Sequence, residues 1–425
     1  MDRPRMSRLL VALLALAAAL PARAVKNPTG SDAPLSLPDA ESLALAHQPE
    51  LRAARAQSRA ARARLGQSTS NLLPQITGNG SVVRAGGEGL GAATTWSYGL
   101  TGTQPLVDLG AFFSRSAASA SASAQEESEK DTLEAVVLGV RTAWFSAAAA
   151  RDLVEVARET LQNREAHLEQ VKGFVEVGTR PEIDLAQARA DRASAQVQLI
   201  TARNDYATAL ARLNQAMGVV GATDYALAPI EFPAVAGEDA ALDALVNEAL
   251  SRRADLAALA RQRDASAASL RSSWSGFAPT LDATGKIGQA GPDLSSTRES
   301  WNAGLVLTWP LFQGGRTAAQ VREASANLEV LDAQAESVKL AVRLGVEQAW
   351  LSVQAARASL EATGEALANA KERLRLADAR YQNGLGSGIE LNDAQVAETT
   401  AAAQEVQARF NLATARASLI RALGR

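Results

Sequence analysis

Few residues in this chain could do chemistry, and none of them forms a recognisable catalytic or metal-binding set. There is no cysteine, which excludes disulfides, thiolate catalysis and thiolate metal sites. The only histidines, His47 and His167, stand alone on predicted helices, which favours exposed or interface roles over metal ligation. The H-E-x-x-H, G-x-S-x-G and G-x-x-x-x-G-K-[ST] motifs are absent. The sequence therefore predicts a protein that is not an enzyme and has no cofactor or metal site.

Four carboxylates attract attention because each pair follows a turn that contains glycine. Glu182 and Asp184 come after residues 178–181, and Glu390 and Asp393 come after residues 384–387. Acidic residues at the start of a helix are stabilised by its dipole and commonly cap it. Helix capping is therefore the simplest interpretation of all four, and any further role depends on what the helices surround.

The composition favours long helices and gives no sign of a nucleic-acid surface. Alanine, leucine, arginine, glutamate and glutamine lose little side-chain freedom in a helix. The formal net charge is only −3, and the basic residues are interleaved with acidic ones.

Residues 108–178 are predicted to form one very long helix. They contain no proline, and apolar residues recur at every seventh position in the second half of this stretch. Such a repeat makes a left-handed supercoiled seam against a neighbouring helix. At 1.5 Å per residue the helix would be about 100 Å long. The seam recurs 206 residues later: Val140, Ala147, Val154, Leu161, Leu168 and Val175 correspond to Val346, Val353, Leu360, Leu367, Leu374 and Tyr381.

This correspondence is part of a tandem duplication. Trp96 and Pro105 recur as Trp301 and Pro310 at an offset of 205 residues. We expect a first repeat at 25–218, a linker at 219–237 and a second repeat at 238–425. Each repeat is predicted to run helix, two strands, long helix, tight turn, return helix. The predicted first helices are 38–71 and 238–275, the long helices 108–178 and 314–384, and the return helices 181–218 and 388–424.

Four predicted strands alternate with period two. They cover about 75–84, 95–107, 280–289 and 300–311, with hairpin loops at 85–94 and 290–300. Their length suits strands that cross a bilayer at a tilt. The aromatic residues predicted at the membrane interfaces are Trp96, Tyr98, Trp301 and Trp309. The alternative is a soluble sandwich with core tryptophans. If the strands do cross a membrane, four cannot close a barrel, and a dimer would supply eight strands or a trimer twelve.

The first 24 residues have the pattern of a secretory signal peptide. Arg3, Arg5 and Arg8 precede the apolar run 9–20, and residues 22–24 supply an A-x-A cleavage pattern. A retained anchor helix is the alternative, but the run is too short to span a membrane comfortably. We expect an exported mature chain without a transmembrane helix.

The turn sequences resemble a known family. Residues 380–395 fit the pattern R-Y-x-x-G-x-x-S-x-x-[DE]-L-x-x-A-Q, and residues 174–188 are its counterpart in the first repeat. With the strand exits at 106–110 and 311–315, the chain resembles the TolC-type outer-membrane efflux proteins. The resemblance implies a homotrimer with a twelve-stranded barrel in the outer membrane lipid and a hollow α-barrel crossing the periplasm. It also implies a periplasmic adaptor and an inner-membrane pump of the RND, ABC or MFS type.

The same resemblance implies roles for the turns. It suggests that Asp393 and Glu390, and then Asp184 and Glu182, line a periplasmic constriction. It further implies that Tyr381 holds the closed state by a contact near Asp184. The exposed turns would dock the adaptor through Gly178, Thr179, Arg180, Gly384 and Leu385. Gly386 stands where the best-known members carry a basic residue, which puts their closed-state ion pairs in doubt here.

Two interpretations of function remain from the sequence. The first is a passive exit duct of a tripartite efflux or type I secretion system in a Gram-negative outer membrane, with energy supplied by a partner. The second is a secreted structural coiled coil that binds an envelope partner, which explains the heptads but not the paired hairpins. The exported substrate and the pump class cannot be read from these residues.

Overall fold

A computed structural model describes residues 34–87, 90–221, 225–229 and 234–425. The predicted signal peptide, and the parts of the predicted linker at 222–224 and 230–233, lie outside the described residues. The prediction of a mainly α chain with a small β part is confirmed. In order, the elements are α1 (Leu37–His47), α2 (Pro49–Ser70), β1 (Gln75–Gly87), β2 (Leu90–Val107), α3 (Leu109–Glu176), α4 (Glu182–Met217), α5 (Leu242–Arg252), α6 (Ala254–Trp274), a short 3₁₀ helix (Ser275–Phe277), β3 (Thr280–Gly291), β4 (Arg298–Thr308), α7 (Arg316–Gln382) and α8 (Gly388–Ala422).

The two long helices dominate the molecule. Helix α3 has 68 residues and α7 has 67, so each is about 100 Å long at 1.5 Å per residue. The Asp108 side chain caps α3 by accepting a hydrogen bond from the Ala111 N–H at 2.9 Å. All the predicted seam positions are buried or half-buried, and Val140, Val346 and Val353 are fully buried. The heptad prediction therefore identified the inward face of both helices.

Helix α3 also contains an 18-residue window with mean hydropathy 1.3, long and apolar enough to cross a membrane. Only 39 % of that window is buried within the chain. Trp144, Ala147 and Ala148 on α3 are fully buried in a core that includes residues of α1, α4 and α8.

The four strands form one antiparallel sheet in the order β1-β2-β3-β4, so β1 and β4 have unpaired outer edges. Some predicted strand limits were wrong. Within the predicted loop at 85–94, residues 85–87 belong to β1 and residues 90–94 to β2, and Ala85 pairs with Ala93. Strand β4 ends at Thr308 rather than near 311, two residues before Pro310.

The register gives the sheet one apolar and one polar face. Residues opposite each other on adjacent strands share a face. Val82 pairs with Trp96, while Leu100 pairs with Ile287, which in turn pairs with Trp301. One residue further along, the neighbours are Thr77, Thr101, Lys286 and Asn302. The sheet is therefore amphipathic across all four strands, and the charged residues of its apolar face, Arg84 and Glu299, lie toward the loop end.

Each repeat was predicted to begin with one continuous helix. This prediction is wrong, because each of these helices is interrupted in the structure. The first break is at Gln48 (ψ 121°), where the following Pro49 disfavours helical backbone. The second is at Arg253 (ψ 129°), with no proline to mark it. A glycine just after the end of each return helix packs against one of these breaks. A Cβ at Gly218 (φ +68°) would lie 2.7 Å from the Gln48 Cα, and one at Gly424 (φ +71°) 3.1 Å from the Arg253 Cα.

Candidate functional site

The two helical turns, one from each repeat, are built in the same way. Gly178 (φ +77°) follows α3, and Gly384 (φ +72°) follows α7. Glycine adopts this left-handed backbone without strain. The N–H of Thr179 donates to the Phe174 carbonyl at 2.9 Å, and the N–H of Leu385 donates to the Arg380 carbonyl at 2.9 Å. These bonds close each helix end and reverse the chain into α4 and α8.

Tyr381 lies between the two turns. Its side chain is 2 % exposed, and its ring lies 5.4 Å from the His167 ring and 6.2 Å from the Phe174 ring, centroid to centroid. The Arg180 guanidinium carbon lies 4.8 Å from the Tyr381 ring centroid. Burial raises the pKa of Tyr381, Arg180 lowers it and Asp184 raises it, and the net shift is upward. The phenol is therefore protonated at neutral pH and can donate a hydrogen bond.

Tyr381 and Asp184 line the same cavity of about 390 Å³, together with Arg180 and Asn392. The structure thus brings together the two residues expected to make a closed-state contact. Among the hydrogen bonds of the described residues, none joins them, so that contact stays a prediction.

The four turn carboxylates differ in their surroundings. Glu390 lies 3.4 Å from Arg380, and its own N–H donates to the Ser387 hydroxyl, which caps α8. Glu182 and Asp184 lie in the first turn of α4, where the helix dipole favours them. Asp393 is exposed, and it lies beyond the first turn of α8. The capping interpretation therefore suits the first three carboxylates and does not account for Asp393.

Sequence reasoning missed a buried polar contact between α3 and α8, close to the turns. Arg164 of α3 is 8 % exposed, and it donates to Asn392 Oδ1 at 2.7 Å and Gln395 Oε1 at 2.5 Å on α8. Burial lowers the pKa of Arg164, and the nearby Asp191 raises it, with a net lowering. The contact ties the first hairpin to the second. Its acceptors lie inside the 380–395 motif, but nothing in the motif indicates a partner in the other repeat.

His167 also belongs to this layer, in keeping with its predicted interface role. It packs against Tyr381. Its pKa is lowered, first by burial and then by Arg164, against opposing effects of Gln170, Asp191 and Asp378. At neutral pH His167 is therefore the uncharged aromatic neighbour of Tyr381.

The outermost surface of the turns is apolar as well as glycine-rich. Gly178, Thr179, Gly384 and Leu385 are all exposed, and Arg180 is half-exposed. Three further apolar side chains that sequence reasoning did not select lie beside them, each more than 70 % exposed: Val177, Ile183 and Ile389.

The four aromatic residues predicted at membrane interfaces lie on or beside the sheet. Trp96, Tyr98 and Trp301 share its apolar face by register. Trp309 follows β4, and its indole N–H donates to the Phe277 carbonyl at 3.1 Å. Trp301 is 76 % exposed and Trp309 60 % exposed in the single chain.

The family model described as outer membrane efflux protein matches residues 41–219 and 245–425. The chain belongs to this family. It is therefore an outer-membrane protein whose helices extend into the periplasm, and the relatives that it matches are channels.

Individual relatives support the same assignment. The chain is 25 % identical to outer membrane protein TolC of Escherichia coli, with 92 % of this chain and 83 % of TolC covered. It is 29 % identical to protein CyaE of Bordetella pertussis, with 92 % and 84 % covered. A crystal structure of CusC has the same fold, with TM-score 0.81 and 23 % identity over 91 % of this chain and 92 % of that one.

Proposed function

We propose that three copies of this chain form the passive exit duct of a tripartite efflux or type I secretion system. The observation that carries the proposal is the amphipathic sheet with unpaired edges at β1 and β4. Lipid cannot satisfy the hydrogen bonds of an open edge, so β1 of one copy pairs with β4 of the next. Two copies would give an eight-stranded barrel filled by its own side chains, whereas three give twelve strands and a lumen.

The long helices continue the duct across the periplasm. A helix of about 100 Å reaches far from the membrane, which leaves the turns at the distal end. There the exposed glycines and apolar side chains offer a surface to a periplasmic adaptor, and an inner-membrane pump supplies the energy. The chain itself is not an enzyme in this proposal.

The turns also form the gate. Asp393, with Glu390, Asp184 and Glu182, lines the constriction, and threefold repetition makes a ring of carboxylates that attracts cations. Asp393 carries this part of the proposal, because helix capping does not explain its position. Tyr381 and Arg180 hold the two turns of one chain together in the closed state.

Cysteine crosslinking tests the assembly cleanly, because the chain has no cysteine of its own. Asn79→Cys on β1 is combined in turn with Ser300→Cys and Asn302→Cys on β4. Opposed residues on paired strands are close enough for a disulfide. Oxidation in native outer membranes should give covalent trimers for at least one pair.

Thr101→Cys combined with Asn302→Cys is the matched control, since Thr101 lies inside the sheet and cannot reach a neighbouring chain. If every β1–β4 pair stayed monomeric and the protein were an elongated soluble dimer, the secreted coiled-coil alternative would replace the duct.

A further inference from the structure

The polar face of the sheet carries three charged residues in the described strands, and the register fixes their order. Lys286 lies on the same line of neighbours as Thr77, Thr101 and Asn302. Asp282 lies four residues earlier in β3, toward the helical end of the molecule. Arg298 pairs with Ala290 at the loop end.

Lys286 has neutral neighbours across both adjacent strands. Thr101 and Asn302 lie directly opposite it, at the roughly 5 Å spacing of paired residues. Lys286 and Asp282 are four positions apart along the strand, which is about 13 Å. That distance exceeds the Debye length of about 8 Å at physiological ionic strength. Asp282 therefore does not neutralise the Lys286 ammonium in salt solution.

The orientation of Lys286 follows from the chemistry of the two faces. The face with Trp96, Leu100 and Trp301 is the one that lipid can cover, because transmembrane barrels point apolar side chains outward. The face with Lys286 is left to line the lumen. In a threefold assembly the three copies of Lys286 lie at one height.

We propose that Lys286 forms an anion-attracting ring in the barrel lumen and determines specificity for anionic solutes at the outer end of the duct. The inference rests on the proposed trimeric duct. A ring of lysines in a water-filled pore lowers the energy of an anion and raises that of a cation. The partner class is a small solute with several negative charges, such as a polycarboxylate or a polyphosphate.

The duct then has opposite charge at its two ends. The carboxylates of the turns attract cations at the periplasmic end, and Lys286 attracts anions near the outside. Arg298 adds to the positive charge at the loop end, where the lumen opens. A multivalent anion added from the loop side therefore meets the Lys286 ring before it reaches the carboxylates.

The test is block of the purified channel in planar bilayers by ferricyanide, a trivalent anion, added from the loop side. The salt is kept at about 0.15 M, where the Debye length of about 8 Å keeps Asp282 screened from the Lys286 ring. Lys286→Gln should raise the half-blocking concentration on the order of tenfold. Lys286→Glu should abolish block, and Lys286→Arg should retain it.

Arg84→Gln is the matched control. It removes one positive charge per chain from β1, on the face opposite to that of Lys286, and should leave block unchanged. Conducting Lys286→Gln trimers with wild-type block would overturn the proposal, as would equal effects of Arg84→Gln and Lys286→Gln. A wild-type protein that forms neither trimers nor channels would instead overturn the proposed function.

Discussion

The guanidinium carbon of Arg180 lies 4.8 Å from the centroid of the Tyr381 ring. Arg180 belongs to the turn of the first repeat and Tyr381 to the end of the long helix of the second, so the contact joins the two turns. The family resemblance places a basic side chain at position 386 of the second turn. Gly386 does not supply one. In this chain the first turn supplies the cation that meets the tyrosine.

Removing this cation should loosen the closed turns. Arg180 is half-exposed, and a cation–π contact of that kind contributes about 0.5–1 kcal/mol. Arg180→Gln should therefore raise the ratio of open to closed channels about two- to fivefold, measured as open probability in planar bilayers. Arg189→Gln, an exposed arginine further along α4, should have no effect. Equal open probabilities in wild type and Arg180→Gln would show that the contact does not hold the gate.

The carboxylates at the constriction should control cation block. Asp393→Asn combined with Glu390→Gln should weaken divalent-cation block from the periplasmic side, because it removes six negative charges from a trimer. Single-channel currents with increasing Mg²⁺ measure the effect. Glu365→Gln is the control, because Glu365 is an exposed carboxylate on α7 several helical turns before the glycine turn. Unchanged conductance and block in the double variant would leave helix capping as the role of Glu390 and no role for Asp393.

Replacing Gly386 with alanine should destabilise the second turn, because the added methyl group would be crowded. A Cβ there would lie 3.1 Å from the Arg380 Cβ and 3.1 Å from the Tyr381 backbone nitrogen. Crowding of this kind typically costs about 1 kcal/mol, so Gly386→Ala should lower the midpoint of thermal unfolding in detergent.

Gly364→Ala provides the opposite control. Gly364 lies within α7, where an added Cβ would meet no atom within 4 Å, and alanine is about 0.5–1 kcal/mol better than glycine in a helix. A rise in the unfolding midpoint for both variants would mean that the turn has room at position 386.

The sequence predicted best what depends on local periodicity. The heptads of α3 and α7, the period-two strands and the glycines of the turns each follow from spacing along the chain. The break at Gln48 was also readable, since Pro49 follows it. The break at Arg253 has no local signal, and only its correspondence with Gln48 at the repeat offset of 205 could have revealed it.

Local sequence patterns could not predict the contacts between the two helical hairpins. Arg164 on α3 donates hydrogen bonds to Asn392 and Gln395 on α8. These contacts depend on how the two helical hairpins are aligned along each other, and no spacing in the sequence determines that alignment. The Arg180–Tyr381 contact was missed for the same reason. The face of Lys286, by contrast, required only the alternation of β3 and the pairing of its neighbours.

Glu238, which precedes α5, should make stability depend on pH in the acid range. Its side chain is 2 % exposed. It accepts hydrogen bonds from Arg416 at 2.8 and 2.9 Å, from Arg357, and from the Val235 N–H at 2.9 Å. Burial tends to raise the pKa of Glu238, but these donors lower it more, and the net pKa is below the ordinary value. A depressed carboxylate pKa stabilises the fold above the ordinary pKa, and this contribution is lost as pH falls through the folded value.

Glu238→Gln should therefore destabilise the protein by about 1.5 kcal/mol at neutral pH, because it removes the charge from the hydrogen bonds with Arg416 and the partly exposed Arg357. The difference from wild type should shrink as pH falls below about 4.5, since wild type then loses the same charge. Thermal unfolding in detergent between about pH 7 and pH 3 measures both effects. Asp239→Asn is the matched control, because Asp239 also pairs with Arg357 but its side chain is 76 % exposed, and little change is expected. A deficit that stayed constant across this range would mean that the Glu238 charge contributes nothing and that only its packing matters.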